Sequence, residues 1–67
     1  NLLKLIRTKE TGNMIFYFVK NEWHHIKDPQ TLETLGFKFG DETLLDKFPE
    51  GIQAGEEINM ENCKNYV

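Results

Sequence analysis

The apolar and polar positions divide the chain into short runs that predict three strands. Residues 2–8 and 14–19 are rich in branched and aromatic residues, as strands are. A third run at residues 22–26 follows after only Lys20-Asn21, which has the length of a hairpin loop and an asparagine that tolerates positive φ. The three runs predict a small antiparallel sheet.

The loop also predicts which residues of the hairpin share a face. It pairs Val19 with Glu22 and so sets the other cross-strand pairs: Phe18 with Trp23, Phe16 with His25, Tyr17 with His24, and Ile15 with Ile26. Successive strand residues point to opposite faces. The pairs Phe18–Trp23 and Phe16–His25 therefore lie on one face, and the pairs Tyr17–His24 and Ile15–Ile26 lie on the other. One face packs on a helix, while the other is covered by the rest of the chain or free to bind. The pattern leaves that choice open.

Two short helices are predicted after the hairpin. Asp28-Pro29 is a strong start for a helix at residues 29–35, because aspartate caps the first turn and proline fits the first helical position. A second helix is predicted at residues 41–48, with Leu44, Leu45 and Phe48 facing inward. The predicted fold class is therefore α+β, with a single module at residues 1–60. The polar C-terminal tail at residues 61–67 is expected to be poorly ordered unless it pairs with the sheet.

Composition narrows the classes of function. A chain of 67 residues forms one domain with a marginal core, and five Phe, two Tyr and one Trp indicate that aromatic packing supports it. The net charge of −3 disfavours a nucleic-acid partner. The longest apolar run, Met14–Val19, is too short for membrane insertion. Because the chain begins at Asn1, we expect a piece of a longer protein, whose localisation the sequence leaves open.

No residue pattern predicts catalysis or a cofactor. His24 and His25 are adjacent on a strand, so they point to opposite faces and cannot chelate one ion together. Cys63 is the only cysteine, which excludes a disulfide framework and favours a buried or spectator thiol. The sequence thus predicts neither an enzyme nor a metal site.

The hairpin supplies the candidate binding residues. Tyr17, Trp23, His24 and His25 are large amphipathic side chains near a tight turn, where such residues often lie between core and solvent. Phe16 and Phe18 are expected in the core, with Phe37, Phe39 and Phe48 packed beneath them.

Several of these motifs, in this order, resemble a small module that recurs in bacterial proteins. The resemblance spans about residues 3–58 and rests on Phe16-Tyr17-Phe18-Val19, the turn at Lys20-Asn21, His24-His25-Ile26, Asp28-Pro29, Thr31-Leu32, Leu35-Gly36-Phe37 and Pro49-Glu50-Gly51. The family pattern has an aromatic strand, an Asn-Gly turn, a His-Trp or basic strand ending in Ile-Pro-Asp-Pro, a Thr-Phe-x-x-Leu-Gly helix and a closing Pro-x-Gly. This chain departs from it at Asn21, at Lys27 and in a shortened stretch at residues 40–45.

The resemblance implies an accessory role and no catalytic residues, since such modules are appended singly or in tandem to larger surface, cell-wall or signalling proteins. The leading hypothesis is a non-catalytic module that mediates protein interaction or self-association. A second is a glycan or cell-wall binding module, which requires an exposed platform around Trp23. A third is a small-ligand or nucleotide sensor, which requires Arg7, Lys20 or Lys27 close together around a concave site.

Overall fold

A four-stranded mixed sheet forms the centre of the molecule, as seen in a computed structural model that describes residues 4–51 and 53–67. In chain order the elements are β1 (Leu5–Thr8), β2 (Met14–Val19), β3 (Glu22–His25), α1 (Pro29–Thr34), β4 (Thr43–Leu45) and a 3-10 helix (Cys63–Tyr66). The order across the sheet is β3-β2-β1-β4, with β4 parallel to β1 and the other pairs antiparallel. The α+β class is confirmed, while the numbers of strands and helices differ from the prediction.

The hairpin follows the predicted register. Val19 lies opposite Glu22 and Phe18 opposite Trp23. Lys20 and Asn21 have φ values of 55° and 64°, the left-handed pair that lets a two-residue loop follow the twist of its strands. The predicted first strand is confirmed from Leu5 to Thr8, and Leu2 and Leu3, its predicted start, lie outside the described residues.

The second predicted helix, at residues 41–48, is wrong. Residues 43–45 form β4, which extends the sheet beside β1. Carboxylates of the preceding loop hold a turn, because Asp41 accepts from the N–H of Lys38 and Glu42 from the N–H of Gly40. The edge of β1 then offers residues 43–45 backbone hydrogen-bond partners, and pairing there satisfies their N–H and C=O groups in a strand.

The start and end of α1 match the signals in the sequence. Asp28 Oδ1 accepts hydrogen bonds from the backbone N–H of Thr31 (2.8 Å) and from its hydroxyl (2.6 Å). At the other end Gly36 has φ of 97°, and the N–H of Phe37 donates to the carbonyl of Leu32, which is a Schellman ending. The bonds from Thr31 hold the pKa of Asp28 below its ordinary value of 3.8.

Replacing Asp28 with alanine is expected to lower the melting temperature by several degrees, because the first turn loses its cap. Asp28→Asn is the matched control, since asparagine caps about as well and should restore most of the loss at neutral pH. The depressed pKa means that the aspartate stabilises the fold above its ordinary pKa and that this contribution disappears as the pH falls through the folded value. Thermal unfolding from pH 7 to pH 3 measures both effects. Equal melting temperatures for the alanine and asparagine variants at pH 7 would contradict the capping role.

Both faces of the sheet carry a buried cluster, which settles the choice that the hairpin pattern left open. On the helix side Leu5, Ile26 and Leu32 are buried, with Tyr17 and Phe37 packed against them. On the opposite side the buried residues are Ile6, Phe16 and Trp23, flanked by Phe18, Leu45 and Phe48. Two of the three phenylalanines predicted beneath Phe16 and Phe18 lie elsewhere, since Phe37 packs against Tyr17 on the helix side and Phe39 is 62% exposed.

The outer edge of β3 is covered by residues 53–58, here called the edge segment. It runs parallel to β3 and makes two isolated bridges, Ala54 with Trp23 and Ile58 with Ile26. Ile58 is fully buried. The predicted polar tail at 61–67 contains the 3-10 helix, whose Cys63 is 4% exposed, so the chain after the edge segment is also packed on the fold.

Candidate functional site

A hollow of about 190 Å³ lies where β2 and β3 meet the start of α1, and it is here called the α1 hollow. Its apolar floor consists of Ile15, Ile26 and Leu32, of which the last two are buried core residues. The sheet and the helix position this floor, so it is part of a rigid scaffold. The remaining lining residues are Asn13, Met14, His25, Lys27, Asp28, Pro29 and Phe39.

The mouth of the α1 hollow is apolar on one side and charged on the other. Met14 is 37% exposed and Phe39 is 62% exposed, although both are large apolar side chains. Lys27 and Asp28 are neighbours in the chain and bring opposite charges to the same mouth. An apolar floor, exposed apolar rims and a few polar groups are the usual composition of a binding site.

The hollow has the size for one side chain. A cavity of ~150 Å³ accommodates a benzene ring, so about 190 Å³ accommodates an aromatic ring or a branched aliphatic group. It is well below the ~300 Å³ at which pockets for drug-sized ligands begin. The geometry therefore suits an anchoring side chain better than a whole small molecule.

Three of the four predicted binding residues, Tyr17, Trp23 and His24, do not line this hollow. Tyr17 is half-buried and packs edge-on against Phe37, with ring centroids 5.1 Å apart. Trp23 is 3% exposed and packs against Phe18 and Phe48 in the core. The aromatic platform that a glycan module requires therefore lacks the exposed indole ring at its centre.

The two histidines point to opposite faces, as the strand geometry predicts, and each contacts the edge segment. His24 is 2% exposed, and its Nδ1–H donates to the carbonyl of Glu56 at 2.7 Å. His25 is partly exposed, lines the α1 hollow and places its Nδ1 2.8 Å from Glu57 Oε2. His25 is thus the one predicted site residue that reaches the hollow, and His24 acts as a packing residue that fastens the edge segment to β3.

A polar cluster surrounds the buried His24 ring. Its Nε2 lies 3.3 Å from Glu22 Oε1, and the Tyr66 ring packs on it with centroids 4.9 Å apart. The hydroxyl of Tyr66 donates to the Glu56 carboxylate, which raises the pKa of Tyr66 to about 12. Lys20 Nζ also lies over the Tyr66 ring, 5.0 Å from its centroid. These contacts tie the 3-10 helix to the hairpin.

The three cations that a nucleotide sensor would need lie at three different places. Arg7 lies 3.5 Å from a Glu42 oxygen beside β4, Lys20 lies over Tyr66, and Lys27 borders the α1 hollow. They do not line one concave site.

Sequence reasoning missed the two residues that mark the mouth of the hollow, Met14 and Phe39. Met14 begins a strand whose other side chains are mostly covered. Phe39 ends the apolar-polar-apolar triplet Phe37-Lys38-Phe39, a pattern that predicts core positions for its two phenylalanines. The available signal was Gly40, because a glycine directly after Phe39 indicates a turn, and Gly40 does adopt a positive φ of 102°.

None of the helices in the described part of the chain has the length and apolar character to cross a membrane. Comparison with models of known protein families, with curated proteins and with solved structures finds no match to this chain.

Proposed function

We propose that this chain is a non-catalytic protein-interaction module that binds an apolar side chain of another polypeptide in the α1 hollow. The observation that carries the proposal is the apolar floor beneath two exposed apolar rims, Met14 and Phe39. Exposed apolar groups around a concave, rigid site are typical of places where a protein partner inserts an anchor residue. The accessory role within a larger bacterial protein belongs to the same proposal and follows from the resemblance.

The polar groups at the mouth favour binding over chemistry. Asp28 is occupied with the cap of α1, and the carboxylate of Glu57 lies within hydrogen-bond distance of His25. Both carboxylates therefore have structural partners within the chain, Asp28 in the helix cap and Glu57 beside His25. The small volume supports the same reading, because a general acid or base needs a substrate held beside it.

Amide NMR with minimal probes tests the proposal. The isotope-labelled chain at low concentration is titrated with N-acetyl-phenylalaninamide and N-acetyl-leucinamide, and N-acetyl-glycinamide serves as the probe without an apolar side chain. We expect the first two to shift the amides of Ile15, Ile26 and Leu32 in a saturable way, while the glycine probe leaves them unchanged. Shifts spread over the surface, or equal for all three probes, would contradict the proposal.

Two single variants test whether the probes bind in the hollow itself. Met14→Ala removes one apolar rim of the hollow. It should weaken the binding of the leucine and phenylalanine probes severalfold, because the bound side chain loses part of its contact area. Met60→Ala is the matched control, because Met60 is also an exposed methionine, 44% accessible, and is absent from the lining of the hollow. Similar weakening by both variants would show that the probes respond to general surface hydrophobicity.

A further inference from the structure

Phe39 is both a rim of the α1 hollow and a free apolar knob. It lines the hollow, and 62% of the residue is nevertheless exposed. The knob and the hole thus belong to one patch, and the hole has the volume of one aromatic ring. A patch that carries both halves of a contact is what a two-fold symmetric interface requires, because each copy presents the same surface to the other.

We infer that the occupant of the α1 hollow is a second copy of this chain, with Phe39 of each copy packed into the hollow of the other. This inference rests on the proposed function and names its partner. The ring of one copy covers the buried floor at Ile26 and Leu32 of the other, and Met14 closes over it. Two exposed phenylalanines and two open hollows are covered in one step, which removes apolar area from water.

The charges at the mouth suit this pairing. Lys27 and Asp28 stand next to each other at the rim with opposite signs. A two-fold axis reverses the order of the pair in the second copy, so that each lysine can face the other copy's aspartate. Like charges do not have to meet, which makes the rim compatible with a second copy and sets the orientation of the two copies.

The area available predicts a weak dimer. A stable interface buries about 800 Å² per partner, roughly a sixth of the 4572 Å² exposed by the described chain. The patch around one hollow is smaller than that, so the two copies should exchange readily and separate on dilution. In a larger protein that carries the module in tandem, the high local concentration would favour the pairing.

Sedimentation equilibrium of the intact chain, from about 20 μM to about 1 mM, tests the inference together with an amide NMR dilution series. We expect the average mass to rise toward that of a dimer, with dilution shifts at Ile26, Lys27 and Leu32. Phe39→Ala should weaken association roughly tenfold or more, because the variant loses the knob while the fold keeps its buried residues. Met60→Ala should associate as the wild type does.

A charge variant tests the orientation. Lys27→Glu places two acidic residues side by side at each rim, so association should fall severalfold and fall less at high salt. A chain that stays monomeric throughout the range would overturn the inference, as would a dimer that Phe39→Ala leaves intact. If the monomer still binds the phenylalanine probe in its hollow, the proposed function survives and only the identity of the occupant is wrong; if neither occurs, both fail.

Discussion

Replacing Ile6 with alanine is expected to destabilise the fold by about 2–5 kcal/mol, the usual range for deleting a buried aliphatic side chain. Ile6 is fully buried and belongs to the cluster with Phe16 and Trp23. Its strand lies between β2 and β4, so the cavity left behind cannot be filled without moving both neighbours. A chain of 67 residues has a total stability of roughly 3–10 kcal/mol, so the variant should lose a large part of its folded population.

Urea unfolding followed by tryptophan fluorescence measures this effect, because Trp23 is buried beside Ile6 and becomes exposed on unfolding. Leu44→Ala is the matched control. Leu44 is also aliphatic and in the sheet, but it is 47% exposed, so its loss should change the free energy of unfolding by no more than ~0.5 kcal/mol. A small effect of Ile6→Ala, comparable to that of Leu44→Ala, would show that the central cluster does not hold the sheet together.

The hairpin and the first helix could be predicted because their signals are local. Two residues between two apolar runs leave one register in which both runs pair, and Lys20 and Asn21 adopt the required left-handed backbone. Asp28 and Gly36 mark the ends of α1 through bonds between residues three to five positions apart. Nothing distant in the chain has to be known for these elements.

The fourth strand could not be predicted because its stability comes from a distant partner. Leu44 and Leu45 with Phe48 have the spacing of a helix face, and no local feature of residues 43–45 requires a strand. What decides the outcome is the edge of β1, almost forty residues earlier, which pairs Thr43 with Ile6. Tertiary pairing overrides a local preference that only a few residues express.

The candidate site was only partly predictable for the same reason. Trp23 and His24 have the chemistry of binding residues, but the edge segment covers them from thirty residues further along the chain. The α1 hollow arises where the hairpin, the helix start and the loop at Phe39 meet, and the pattern of any one of them gives no sign of it. Burial and concavity are properties of packed elements, so the chemistry of single residues included His25, which lines the hollow, and missed Met14 and Phe39.

The edge segment also protects the β3 edge from pairing with other chains. An unpaired strand edge is a template for aggregation, and covering it with the chain itself removes the exposed backbone groups. The edge segment is held by backbone hydrogen bonds at both of its ends. The N–H of Trp23 donates to the carbonyl of Gln53, and the N–H of Lys27 donates to the carbonyl of Ile58. Between them the His24 ring lies close against Gly55 and donates to the carbonyl of Glu56.

Replacing Gly55 with alanine is expected to destabilise the fold by about 1–3 kcal/mol, the cost of overpacking a filled site. A methyl group at this position would lie 2.3 Å from Cε1 of His24 and 2.6 Å from a carboxylate oxygen of Glu22. The glutamate can swing away, whereas the His24 ring is 2% exposed and is held by the carbonyl of Glu56. The edge segment must therefore move off β3, or the ring must leave its place.

A double-mutant cycle that combines Gly55→Ala with His24→Ala tests whether the His24 ring is the cause of this loss of stability. Because the ring is the obstacle, Gly55→Ala should cost little in the His24→Ala background, which gives a coupling energy of about 1–3 kcal/mol in urea unfolding. Gly12→Ala supplies the control: Gly12 has φ of 73° and open space around it, so its cost comes from backbone strain and should be the same with or without His24. Additive costs for Gly55→Ala and His24→Ala would mean that the edge segment is not fastened through this contact, and that its two backbone bridges hold it alone.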